Sequence, residues 1–174
     1  MTIRKAIGAD IDAVSALFEE IHNVEESGKV TIGWIRGVYP VRATAEAALA
    51  RGDLFVQEDG GEIVGTAIIN QLQVECYADG AWEYNAPESE VMVLHTLVIS
   101  PRLTRKGLGK KFVAFYEEYA MQNGCKYLRM DTNARNVNAR ALYKKLGYAE
   151  VDVVPCEFNG IPGVQLVLLE KYLG

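Results

Sequence analysis

The spacing of apolar residues changes period several times along the chain, and each change marks an element. Val14, Leu17, Phe18 and Ile21 recur at the spacing of one helix face. Residues 3–6 form a short strand ahead of that helix, and Asp10 stands at its N-cap position. The helix ends near Gly28, and a shorter helix spans residues 43–50, stopped by the turn Arg51-Gly52-Asp53. Residues 54–58 and 63–69 then read as two strands around Asp59-Gly60-Gly61, because those glycines supply the positive φ that a tight hairpin requires. Residues 73–90 are polar and turn-rich and carry Tyr77, Trp82 and Tyr84, which suits either a hairpin extension or a functional loop. A near-continuous apolar run at 91–99, broken only by His95 and Thr96, predicts a central strand covered on both faces. A helix follows over 107–123, with Phe112, Val113, Tyr116 and Ala120 on one stripe and Gly124 as its C-cap. Residues 126–131 read as a strand, 138–146 as a helix stopped at Gly147, and 149–156 and 164–169 as two terminal strands. This order mixes hairpins with crossover units. It predicts an α/β fold, one mixed sheet sandwiched by helices in a single domain over residues 1–174.

Composition narrows the functional classes. The chain has 174 residues, 49% of them hydrophobic, and a formal net charge of -5, which argues against a broad nucleic-acid-binding face. The N-terminus lacks the apolar core of a signal peptide, and no run approaches the length needed to span a bilayer, so the expected location is the cytoplasm, with no membrane partner. Cys76, Cys125 and Cys156 are widely spaced and lack a zinc-ligand pattern, so they read as reduced thiols and no metal is expected. A nucleophilic cysteine would need a base nearby, and the only histidines are His22 and His95. His22 lies among Glu19, Glu20, Glu25 and Glu26 and reads as part of a solvated face.

Against that acidic background, RLTRKGLGKKF (102–112) gathers Arg102, Arg105, Lys106, Lys110 and Lys111 around Gly107 and Gly109. A basic glycine loop between a buried strand and a long helix is suited to anion capture. Amides at a helix start and the positive end of its dipole favour phosphate, and glycine lets a diphosphate approach the backbone. A solvated basic first turn is the plainer alternative. Neither the Walker pattern nor the six-position G-x-G-x-x-G fingerprint is present.

The segment LVISPRLTRKGLGKKFV resembles the cofactor-binding motif of the GNAT acyltransferase superfamily, a strand and turn leading to [QR]-x-x-G-x-[GA] at a helix start. NVNARALYKKLGY resembles the second signature of that family, matching at Asn136, Ala139, Leu142, Tyr143, Lys145, Gly147 and Tyr148. Thr104 departs from the first motif, standing where the family usually has glutamine or arginine. The resemblance implies a GNAT-like fold, a central, mixed, mostly antiparallel sheet flanked by helices on both faces. It implies acetyl-CoA as cosubstrate, its pantetheine arm pairing with Leu97, Val98 and Ile99 and its pyrophosphate held by amides from Arg105, Lys106, Gly107, Leu108, Gly109 and Lys110. Asn136 would contact the pantetheine side, and Tyr143 would protonate the leaving thiolate. Its other reading is a core aromatic.

The implied reaction is direct attack of an amine on the acetyl carbonyl, in which positioning converts a bimolecular encounter into a near-unimolecular step. A proton must leave the acceptor, and His95, near where relatives often keep a glutamate, is a candidate base. A hydrogen-bonded core histidine is the alternative, Glu90 is the second candidate, and a water chain is the third. Trp34, Arg36 and Tyr39 lie in the glycine-punctuated stretch 30–40, which corresponds to part of the acceptor wall in the superfamily; Trp34 and Tyr39 could equally plug the core edge. Arg36 points weakly to an acceptor bearing carboxylate or phosphate. The expected partner is an amine acceptor, a small molecule or peptide, with no nucleic acid, and a homodimer is left open as the assembly. Two rivals remain: a non-catalytic acyl-CoA-binding domain, and a nucleotide-binding module built on the basic loop.

Overall fold

A computed structural model describes residues 1–29, 31–103 and 106–174. The strands are β1 (Thr2–Lys5), β2 (Leu54–Asp59), β3 (Glu62–Asn70), β4 (Val91–Ile99), β5 (Tyr127–Asn133), β6 (Ala149–Phe158) and β7 (Ile161–Tyr172), and the helices are α1 (Ile11–Glu26), α2 (Arg42–Arg51), α3 (Leu108–Gln122) and α4 (Val137–Lys145). The strands form one open 7-stranded sheet in the order β1-β2-β3-β4-β5-β7-β6. Among the described residues only β4 and β5 run parallel, and the other neighbouring pairs are antiparallel.

Period-two alternation divides the sheet's side chains between its faces. Leu54, Val56, Ile68 and Val98 pack with Ile11, Val14, Leu17 and Phe18 of α1 and Ala45 and Ala48 of α2. Phe55, Ala67, Ile69, Met92, Leu94, Leu128 and Met130 pack with Phe112, Val113, Tyr116 and Ala120 of α3 and with Tyr143 of α4. On the α1/α2 face no helix among the described residues packs on β5 and β7. There Val91, Val93, Leu166 and Leu168 are covered instead by Tyr77 and Trp82 of the segment between β3 and β4. That segment is neither a hairpin extension nor a free loop; it takes the place of a covering helix. Gly80 lets it lie close, since a Cβ there would come within 2.3 Å of Leu168 Cδ1.

One local expectation is refined and another corrected. Asp10 stands at the N-cap position of α1, but its side chain makes no cap hydrogen bond to that helix: it also closes a 3-10 turn ahead of it, its carboxylate accepting from the Ile7 amide at 2.8 Å and from Arg4 at 2.7 and 3.0 Å. His22 is buried, and its Nε2 donates to the Pro40 carbonyl at 2.9 Å. It lies one turn after Phe18, on the apolar stripe rather than among the glutamates.

Candidate active site

The site begins where the sheet comes apart. β4 and β5 pair from Val91↔Tyr127 to Leu94↔Met130, and although both strands continue, no further pair forms. On its other side β4 carries a bulge: Thr66 pairs with Val98 but Ile68 with His95, so the β3 ladder skips at Thr96 and Leu97. Thr96 has φ 51°, in the left-handed region that a β-branched residue avoids, at a cost of about 1–3 kcal/mol. The bulge and the lost pairing explain why a run that reads as a fully buried strand is only half-buried at His95, Thr96 and Leu97.

The resulting cleft, about 420 Å³, is lined by Thr96, Leu97, Val98 and Ile99 of β4, by Asp131, Thr132 and Asn133 of β5, and by Asn136, Ala139 and Tyr143. Trp34, Tyr39 and Phe158 close its other side. Most of the site residues expected from the sequence therefore meet here, from segments far apart in the chain.

Asp131, absent from those expectations, is the ionisable group that changes the chemistry. Burial pushes its carboxyl up from 3.8 to about 6, opposed by a hydrogen bond that the Tyr77 hydroxyl donates to Oδ2 at 2.7 Å. A carboxylate poised there is ionised at neutral pH and remains basic enough to take up a proton. Tyr143 is 7% exposed, and burial, with the charge of Asp131 second, raises its phenol so that it stays protonated.

His95 also lines the cleft, but burial lowers its imidazole from 6.5 to about 4. Its Nε2 donates to Asn70 Oδ1 at 3.0 Å, and Asn70 in turn donates to Asp53 at 2.8 Å, so His95 is the hydrogen-bonded member of a polar chain. An imidazole so weakly basic is a poorer proton acceptor than Asp131. Glu90 sits before the first residue of β4, at the opposite end of the strand from the cleft.

The loop after α1 is fixed from both ends. Glu25 accepts from the Gly33 amide at 3.2 Å, and a Cβ on Gly33, whose φ is +89°, would fall 2.3 Å from Asn133 Nδ2. Trp34 and Tyr39 pack edge to face at 6.0 Å, and the Tyr39 hydroxyl hydrogen-bonds Thr96 Oγ1. Arg36 does not line the cleft. Its guanidinium is engaged instead by Glu19, Glu26 and Asn23 of α1.

At the start of α3, Gly107 is the N-cap, with φ 70° and no side chain to cover the helix amides. The two motif glycines have different reasons: a Cβ on Gly107 would meet nothing within 4 Å, whereas one on Gly109 would lie 3.3 Å from Leu142 Cδ2 of α4. Gly107 thus serves backbone conformation and Gly109 serves helix packing. Among the described residues Lys106, Lys110 and Lys111 form no ion pair, whereas Arg102 pairs with Glu20 at 3.0 Å. Thr104 and Arg105 lie outside the described residues. Asn136 lines the cleft and caps α4, its Oδ1 accepting from the Ala139 amide at 3.2 Å.

Among the described residues no group of His, Cys, Asp and Glu is arranged to hold a metal ion, and no helix is long and apolar enough to cross a membrane. Residues 16–148 match the acetyltransferase (GNAT) family. A Bacillus subtilis protein described as the uncharacterized N-acetyltransferase YhfO is 26% identical over 152 residues, covering 86% of this chain and 91% of its own. A GNAT-family acetyltransferase structure from Streptococcus agalactiae superposes with a TM-score of 0.83 at 24% identity, covering 98% of this chain and 94% of the other. The structure of yncA from Salmonella typhimurium, solved with acetyl-CoA, gives 0.71 at 18% identity, covering 100% and 94%.

Proposed function

Since the chain belongs to the acetyltransferase (GNAT) family, we propose that it transfers the acetyl group of acetyl-CoA to a primary amine of a small molecule or peptide by direct attack, both substrates lying in the β4–β5 cleft. The observation that carries this reading is the pair of groups facing one cleft: a carboxylate raised to about 6 at Asp131 and a phenol that stays protonated at Tyr143.

The residues present fit the cosubstrate. Beyond Leu94 the edge of β4 has lost its neighbour, so the main chain of Leu97, Val98 and Ile99 is free to pair with the amide-bearing pantetheine arm. The amides after Gly107, with the positive end of the α3 dipole and with Lys106 and Lys110, would hold the pyrophosphate. Acetyl-CoA supplies the activated thioester. Asp131 takes the proton that the acceptor nitrogen sheds as it bonds to the carbonyl carbon, and it does so at Oδ1, since Oδ2 is engaged by Tyr77. Tyr143 holds its proton for the departing thiolate. Trp34, Tyr39 and Phe158 offer the acceptor an aromatic wall.

The test incubates the purified protein with acetyl-CoA and a panel of aryl-alkyl amines, polyamines, amino acids and peptides, and follows release of free thiol. Acceleration by at least one class supports the reading. Tight acetyl-CoA binding with no thiol release across the panel would make the chain an acyl-CoA-binding domain, and thermal protection by ATP in place of coenzyme A would make it a nucleotide-binding module.

A further inference from the structure

We propose that Tyr77, borne by the segment between β3 and β4, is a positioning residue for acetyl transfer: its hydroxyl fixes Oδ2 of Asp131 and leaves Oδ1 to meet the acceptor amine, while the Arg129–Glu170 pair holds the segment in place. This rests on the reading of Asp131 as the base.

The geometry is closely determined. Tyr77 is 2% exposed, and among the described residues it is the one side chain that hydrogen-bonds Asp131, at 2.7 Å. A carboxylate with a single buried donor keeps one oxygen oriented and the other unengaged. The ring of Tyr77 meets Trp82 edge to face at 5.0 Å, and Trp82 Nε1 donates to the Tyr77 carbonyl at 2.8 Å. Trp82 in turn lies 4.1 Å from the Arg129 guanidinium carbon. Arg129 donates to Glu170 at 3.1 Å, to Gln73 at 2.7 Å and to the Tyr84 carbonyl at 3.0 Å, while the other oxygen of Glu170 accepts from the amides of Glu83 and Tyr84 at 2.9 and 3.2 Å. A buried ion pair is weak support for stability in general, because desolvation offsets the attraction. Here nearly all of its bonds go to the segment that carries Tyr77, which makes placing that segment its effect.

The charges around Asp131 leave it to titrate alone near neutrality. Tyr77 faces it from the segment, which also brings Cys76 against Cys156, Tyr39 faces it from the loop after α1, Tyr143 from α4 and Cys156 from β6; Arg129 precedes it by two positions along β5, and β4 contributes His95 to the same cleft. The phenols of Tyr39, Tyr77 and Tyr143 and the thiol of Cys156 are all raised, chiefly by burial, and are neutral at pH 7. His95 is neutral as well, and Glu170 offsets Arg129.

The test is a carbon-13 NMR titration of protein labelled at the aspartate carboxyl carbons, with Asp131→Asn assigning the resonance. In Tyr77→Phe the ring and its contact with Trp82 remain, and the lost donor stabilised the ionised form, so the Asp131 midpoint moves up by about one pH unit. The acidic limb of thiol release with the fastest amine of the panel follows it. A midpoint that stays in place in folded Tyr77→Phe overturns the proposal, as does a rate limb that fails to move with it. Trp82→Phe, which removes the anchor on Tyr77 but keeps the hydroxyl, gives a smaller upward shift and serves if the first variant does not fold; an unchanged midpoint there overturns the proposal in that case. Full acetyl transfer by Asp131→Asn is a separate result: it removes Asp131 as the base while leaving the Tyr77–Asp131 hydrogen bond intact in the titration.

Discussion

Leu94 and Met130 form the last residue pair between β4 and β5, and residues 95–99 and Asp131 lie beyond that pair. The two strands diverge into the cleft, with the β4 edge left free of β5 on one side and Asp131 on the other.

Asp131→Asn should lower kcat/KM by at least about 100-fold, the usual scale of a lost general base. It should also stabilise the protein. A carboxyl raised from 3.8 to about 6 on folding contributes most below pH 3.8 and loses that contribution as pH rises through 6, so the ionised carboxylate is a liability at pH 8. Urea unfolding should show the variant more stable by on the order of 1–3 kcal/mol at pH 8, with the difference vanishing toward pH 4.

Tyr143→Phe keeps the ring in the core and removes only the hydroxyl. The expected result is a fall of roughly 10- to 100-fold in kcat with acetyl-CoA affinity unchanged, read by steady-state rates and calorimetric titration.

His95→Gln should leave the acidic limb of the rate profile where Asp131 sets it. Its effect appears in stability. An imidazole lowered from 6.5 to about 4 contributes fully above pH 6.5, and that contribution is lost as pH falls through 4. Unfolding measured at pH 7, 5.5 and 4 should therefore show a shallower acid loss in the variant than in the wild type.

Gly33→Ala combines φ +89° with a Cβ 2.3 Å from Asn133 Nδ2, so the loop must shift. The acceptor KM should rise several-fold while acetyl-CoA binding, on the far side of the cleft, is unaltered.

Elements with strong local periodicity are legible in the amino-acid pattern alone. The 54–58 and 63–69 hairpin and the stripe of Phe112, Val113, Tyr116 and Ala120 are patterns contained within their own segments. At His22 two local patterns conflict: its acidic neighbours suggest a solvated face, while its one-turn spacing from Phe18 places it on the buried stripe, and the spacing decides. Asp131 does leave a signal: Tyr127, Arg129, Asp131 and Asn133 put polar groups on one face of a strand that has partners on both sides, where apolar residues are expected. What that face meets depends on Tyr77 and Glu170, which lie 54 positions from Asp131 and 41 from Arg129, and no local pattern encodes it.

The divergence at Leu94 also bears on the mechanics of the sheet. Four residue pairs are all that join β4 to β5, so the sheet is two leaves, β1–β4 and β5–β7, sharing a short spine. A molecule lying along residues 95–99 supplies the stitches the spine lacks. Its binding should slow amide hydrogen exchange in both leaves, well away from any atom it touches.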